Sequence, residues 1–422
     1  MTKPPSYAVA SSLFLSLAAA VLVSLFGATA LAQEPDAAPP VPDEHPPGQW
    51  MEIYGHVMTE MGYDFGRIDP DWFDVMRPTK LAASSMEFGK NGQTFAGVRQ
   101  TRFGVKAGTP TPLGELKTIF EFELFGVGVD AGQTTFRLRH AYGELGHFGA
   151  GQTWSPFMDI DVFPNSIEYW GPNGMVFYRN VQVRWMPIQG ETRLTFALER
   201  PGASADAGPY AERLELQDVS GRFPVPDLSG EFRLAGSRGY VKLSGILRYI
   251  SWVDLGTDGL DLSGSAIGWG ATLSSNVHLW KSNVLKLQVV YGQGIQNYMN
   301  DAAVDIGAQN NPGNAVTPVK GVALPVLGIV AFVDLFWHER WSSSLGYSLV
   351  RIWNADAQAA DAFKMGQYAL VNLLFNPTKA TMAGVELQWG RRNNFADGWS
   401  VNDLKLQFSF RYNFSYQLGG KT

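Results

Sequence analysis

The stretch LKLQFSFRYNFSYQL, Leu404–Leu418, alternates almost without a break. Leu404, Leu406, Phe408, Phe410, Tyr412, Phe414, Tyr416 and Leu418 share one parity, and Lys405, Gln407, Ser409, Arg411, Asn413, Ser415 and Gln417 share the other. Successive strand residues point to opposite faces, so one side of this ribbon is aromatic and aliphatic and the other is wet. Strands of soluble sandwiches show the same period but usually stop near five or six residues, whereas crossing a bilayer at a tilt takes about nine to eleven. This strand is long enough to span a membrane.

Working outward, the N-terminus supports an exported protein. Lys3 precedes a charge-free stretch from Ala8 to Ala32 that closes on Ala30-Leu31-Ala32, the layout of a secretory signal peptide with a small-residue cleavage site. An uncleaved anchor helix is the alternative reading, since the apolar run is long. Removing residues 1–32 takes away one lysine and no acid, which moves the formal charge from −6 to −7. A nucleic-acid binder would show a basic stripe instead. The chain has no cysteine, which spares an exported barrel from mispaired thiols. Residues 33–48 (QEPDAAPPVPDEHPPG) are too rich in proline and acid to bury a core and read as a periplasmic linker.

Mean hydropathy is −0.08, too polar for a bundle of membrane helices. Only Val322 to Trp337 approaches an apolar span, and Pro325, Gly328 and Asp334 interrupt it. Thirteen per cent aromatics and 46 glycines suit a barrel, where rings gird both interfaces and glycines serve turns. Candidate strands lie at 49–66, 95–107, 113–126, 133–146, 147–154, 175–187, 191–200, 229–237, 239–252, 263–279, 282–295, 319–337, 340–354, 366–376, 379–391 and 402–418. That makes about sixteen, an even number as bacterial outer-membrane barrels require. Short turns such as Asn376-Pro377-Thr378 alternate with long segments at 155–174, 201–228, 296–318 and 392–401, the expected asymmetry of two rims.

The sequence therefore predicts an all-β fold, a transmembrane antiparallel β-barrel spanning 49–422. Its interior should be too wide for side chains to fill and should hold water. Parity places Leu116, Phe120 and Phe122, Leu243 and Leu247, and Leu387 and Trp389 toward lipid. Lys117, Glu121 and Glu123, Lys242 and Arg248, and Glu386 and Gln388 then face the lumen.

Basic residues converge on three segments. Arg102 and Lys106, Arg137 and Arg139, and Arg184 all have lumen parity, whereas Arg179 has the opposite parity and is expected beyond the apolar band. One reading is that these arginines merely pair with Glu121 and Glu123. The other, favoured for the group, is an anion ladder on one arc of wall, since guanidinium is permanently charged and grips carboxylates bidentately. Residues 153–174 are too apolar and aromatic for an idle surface tip. Folded inward as a constriction loop, they would set Asp159, Asp161 and Glu168 opposite the arginines and create a transverse field; an outer loop touching neighbouring subunits is the alternative.

Enzymatic signatures are thin. The six histidines lack metal-ligand spacing, Gly126 to Gly132 lacks a dinucleotide fingerprint, and there is no nucleophile elbow. No catalytic, cofactor or metal role is expected.

Arg99-Gln-Thr-Arg102-Phe-Gly-Val-Lys106, Phe136-Arg-Leu-Arg-His-Ala-Tyr-Gly-Glu-Leu145, Gly151-Gln-Thr-Trp-Ser-Pro-Phe-Met-Asp159 and Arg179-Asn-Val-Gln-Val-Arg184 occur in order. Together they resemble the DcaP-like trimeric porin family of Gram-negative outer membranes, and Asn372 to Pro377 and Gly384 to Arg392 add weaker support. The resemblance implies a sixteen-strand homotrimer in outer-membrane lipid that carries small anionic solutes, dicarboxylates foremost, with Arg102, Arg137, Arg139 and Arg184 at the matching basic positions. Residues 33–48 show no heptads, so a coiled-coil extension found in such porins does not transfer. The competing class is a plugged barrel serving as an adhesin or structural outer-membrane protein.

Overall fold

A computed structural model describes residues 48–206, 208 and 210–419. The signal peptide and all of the linker except Gly48 lie outside the described residues. The described chain is one closed antiparallel sheet, a separate two-stranded hairpin and six short 3-10 segments. Trp50–Asp64 pairs with Ser400–Gly419 along its whole length, Trp50 opposite Gly419 and Asp64 opposite Lys405, and this closes the barrel.

Eighteen pieces of strand make sixteen positions in the wall. Gln93–Gly97 and Arg102–Thr111 both pair with the first strand and share one position. Val219–Arg222 and Asp227–Gly236 both pair with Gly239–Asp254 and share another. The expected strand at 319–337 is two elements. Val319–Ala323 leaves the wall as a hairpin with Ile306–Asn310, and Pro325–His338 carries on as wall. Pro325 has no N–H to give a ladder and so stands at the first position of its strand. The expected strand at 175–187 starts only at Arg179, because 175–178 still belongs to a loop inside the barrel.

The wall is apolar outside and polar within. In the last strand Leu404, Phe408, Phe410, Tyr412 and Tyr416 are exposed, while Lys405, Gln407 and Ser409 are fully buried. Leu243 and Leu247 are exposed where Lys242 and Arg248 are buried. A soluble barrel would reverse both, so the pattern is that of a wall immersed in lipid.

The interior departs from the water-filled expectation. Val290, Val330, Phe332, Val350 and Leu370 point inward and pack with Trp72, Met76, Phe157, Met175, Val176 and Tyr298 from loops folded into the barrel. This explains the nearly continuous apolar run over Val322 to Trp337: that strand meets lipid on one face and loops on the other. Two glycines permit the contact. A Cβ on Gly174 would lie 2.1 Å from the Leu349 carbonyl oxygen, and one on Gly328 would lie 2.2 Å from the Gly174 oxygen. Loop and wall there meet backbone to backbone.

One seam of the wall is incomplete. Thr134–Leu145 pairs with Gly114–Phe125 on one side, but with Phe148–Trp154 only from Ala141 to Leu145. Among the described residues, Thr134 to His140 have no strand partner on that second edge, and the Gln152 side-chain amide donates to the Leu138 carbonyl at 3.2 Å instead.

Candidate functional site

The site begins on the wall, where antiparallel register sets charges opposite each other. Arg102 stands across from Glu123, and Glu123 across from Arg137, and side chains so placed share a face. Arg139 donates through Nε to Glu121 at 2.5 Å and through Nη1 to Glu123 at 2.6 Å. Arg102 lies 3.7 and 3.6 Å from the same two carboxylates. Arg137 and Arg179 approach Glu123 to 3.8 and 3.5 Å. Four arginines thus surround two glutamates, and the arc keeps two positive charges in excess. Each of these arginines lies within 4 Å of Glu121 or Glu123, the pairing that the first sequence reading describes.

Four loops complete the site, where the sequence reading anticipated one. Arg77 ties them together. Its guanidinium lies 4.0 Å from the Trp72 ring and 3.9 Å from the Trp170 ring, donates from Nε to Asp301 at 2.9 Å, and from Nη1 to Asp206 at 2.8 Å. Trp170 Nε1 in turn donates to the Asn300 carbonyl at 2.8 Å. Burial pushes the Asp206 carboxyl upward, but Arg77, Lys80 and Arg213 outweigh it and hold it down at about 2, so this group stays ionised.

Between wall and loops lies a cavity of about 530 Å³. Among the described residues Arg77, Arg137, Arg179, Arg200 and Arg213 line it, with Asp206 as the one carboxylate and with Tyr169, Trp170, Phe177 and Tyr178 as aromatic faces. The lining therefore carries more guanidinium than carboxylate groups.

Of the lumen-facing basic residues expected to line the pore (Arg102, Lys106, Arg137, Arg139, Arg184 and Arg248), Arg137 lines this cavity. Arg102 and Arg139 belong to the adjoining arc. Lys106 is buried over the Tyr54 ring at 4.6 Å. Arg184 donates to the Trp154 carbonyl at 2.6 Å from a half-buried position. Arg248 is buried between Asp227 and Asp305 at 2.9 and 3.0 Å; it faces inward as parity requires, but there it fastens a loop to the wall and leaves no surface for a solute.

The placement of Arg179 needs correction. Its side chain is 5% exposed and turned inward to Glu123, because at the junction of loop and strand both Arg179 and Asn180 point inward before alternation resumes at Val181. Arg77 and Arg213 were missed because loops carry no period, and Arg200, the last residue of the expected strand 191–200, because it shares the parity of the outward Phe196 and Leu198. The one signal at Arg77 is an arginine set among Val75, Met76 and Pro78, an apolar setting that asks for buried partners.

The transverse field is corrected as well. The loop at 155–178 does fold inward, but its acids are absorbed by neighbours. Asp159 accepts from the Tyr240 hydroxyl at 3.0 Å and from Ser274. Asp161 pairs with Arg233. Glu168 accepts the backbone N–H of Met76 at 3.0 Å and that of Gly171; burial pushes it up to about 7 against the pull of these two bonds. These carboxylates anchor the loop and do not line the opening.

Residues 51–414 match the family model described as DcaP outer membrane protein. No curated protein sequence matches the chain. Among solved structures, the outer membrane channel DcaP of Acinetobacter baumannii superposes with a TM-score of 0.71 at 20% identity, covering 91% of this chain and 100% of that one. An anion-selective porin from Comamonas acidovorans gives 0.55 at 12% identity, with 87% and 100% covered. The trimer form of OmpT of Vibrio cholerae gives 0.52 at 12%, again with 87% and 100% covered. At these identities the likeness is one of fold.

Proposed function

Since the chain belongs to the DcaP outer membrane protein family, we propose that it is a passive outer-membrane porin for small anionic solutes, with dicarboxylates as the preferred class. The observation that carries this reading is the cavity with five arginines and one carboxylate. Residues 1–32 would direct export and 33–48 would serve as a periplasmic tether. The anion-selective porin of Comamonas acidovorans shares the fold, which makes the selectivity reading consistent with the architecture.

Planar-bilayer recording tests it. The wild-type channel should show a reversal potential on the anion side in a salt gradient, and succinate should block the chloride current. Arg137 and Arg200 are the arginines to remove, because both reach solvent. Each is worth on the order of 1 kcal/mol to a passing anion, a several-fold change in local occupancy. The double alanine variant is therefore expected to move toward cation preference, most visibly at low salt. Unchanged selectivity would remove the assignment. The apolar core inside the barrel favours a second reading, a plugged barrel with an adhesive or structural role, and a wild-type protein without stepwise conductance would establish it.

A homotrimer belongs to the same proposal. An open sheet edge cannot face hydrocarbon, and the edge from Thr134 to His140, beside an exposed Phe136, asks for protein cover. Unheated samples in mild detergent should migrate near three times the 46.3 kDa chain mass. A single-chain band in several detergents would discard the trimer and leave the barrel standing.

A further inference from the structure

A second cavity, of about 280 Å³, adjoins the first, and the two share Arg77, Asp206, Arg213 and Ala302. Asp206 therefore stands where the two cavities meet. Its partner Arg77 also holds Asp301, and the two acids differ in kind. Asp301 is fully buried and is fixed by Arg77 Nε, the Thr79 backbone N–H and the Thr79 hydroxyl. Asp206 is 19% exposed, and among the described residues its carboxylate has one hydrogen bond to a side chain, from Arg77 Nη1.

Arg213 supplies the second half of the site. It is 7% exposed, donates to the carbonyls of Asp206, Ala302 and Ala303, and has no acid within ion-pair distance among the described residues. Its Nε is buried without a hydrogen-bond partner. A buried guanidinium that lacks a carboxylate is costly, and an anion resting beside it would relieve that cost.

We propose that Asp206 is a built-in competitor for this anion site: it occupies the Arg77 edge between the chambers, and a solute carboxylate binds at Arg77 and Arg213 by displacing it. The inference rests on the anion-channel reading and adds the residue that sets affinity. The exchange needs only a side-chain rotation. The backbone at Asp206 is pinned by Arg213 Nη1 on its carbonyl at 3.2 Å, and two residues earlier Ser204 N–H donates to Asn297 at 2.8 Å. While the site is empty Asp206 neutralises Arg77, and a ligand that offers two carboxylates at once can take Arg77 and Arg213 together.

Asp206→Asn removes the competing charge at nearly constant shape. In planar bilayers, succinate is expected to block D206N at roughly fivefold lower concentration than wild type, the effect of one screened charge at close range. D206E should block near the wild-type concentration. Asp301→Asn is the control: it also takes a counter-charge from Arg77, but on the buried Nε edge, and leaves Asp206 on the Nη1 edge where the solute would bind. The inference fails if D206N blocks at the wild-type concentration, or if D301N gains affinity as D206N does. A wild-type channel with no anion preference and no succinate block would overturn the functional reading itself. Anion preference in wild type with an unchanged D206N would overturn this inference alone.

Discussion

Replacing Glu123 with glutamine is expected to destabilise the folded barrel by about 3–5 kcal/mol, the cost of leaving buried positive charge without its partner. Glu123 is fully buried, and Arg139, Arg102, Arg137 and Arg179 all lie within 4 Å of it. An exposed pair would cost less than about 1 kcal/mol to break, so the magnitude reports whether the cluster is dry. Urea unfolding of protein refolded into phospholipid vesicles, followed by tryptophan fluorescence, measures it. The same variant raises the local positive charge and should increase anion preference in the molecules that fold. A loss below 1 kcal/mol would show that water penetrates the arc, and that the four arginines are a solvated patch.

The wall was legible in the sequence because two solvents wrote it. Lipid outside and polar groups inside impose a period of two on every strand, and Leu404 to Leu418 displays it directly. The same rule brought Arg102, Arg137 and Arg139 to one arc. It failed where a strand does not separate those two environments. Val322 to Trp337 looked like a broken helical span because its inward face also meets apolar loops, and its first residues belong to a separate hairpin. Arg179 was misplaced because alternation lapses where the chain enters the wall.

The inner surface was largely illegible for a related reason. Arg77 and Arg213 sit on segments without period, Arg200 follows the last residue of a strand on its outward parity, and their meeting depends on loops far apart in sequence. Asp159, Asp161 and Glu168 were correctly placed on an inward loop, but composition does not distinguish an acid that faces a pore from one that fastens a loop. Arg233, Tyr240 and the backbone N–H groups of Met76 and Gly171 decide that question, and only the assembled structure brings them together.

Substituting Arg77 by alanine is expected to loosen the loops and leave the barrel intact. All of its strong contacts lie in loops: Trp72, Trp170, Asp206 and Asp301. Removing it leaves Asp301 buried without its counter-charge, again at about 3–5 kcal/mol, and forfeits two desolvated cation–π contacts of roughly 2 kcal/mol each. Such losses are not additive, but either is large enough to populate a locally open state. The expected results are a several-fold rise in unit conductance and new tryptic cleavage at Arg200 or Arg213, with unheated gel migration unchanged. Arg77→Lys should lie closer to alanine than to wild type, because an ammonium cannot fill the flat space between two indoles or reach two carboxylates along separate edges. Wild-type conductance together with a wild-type digestion pattern in R77A would mean that the apolar core of Phe157, Met175, Val176 and Tyr298 holds the loops by itself. The arginine would then matter to the passing solute and not to the walls around it.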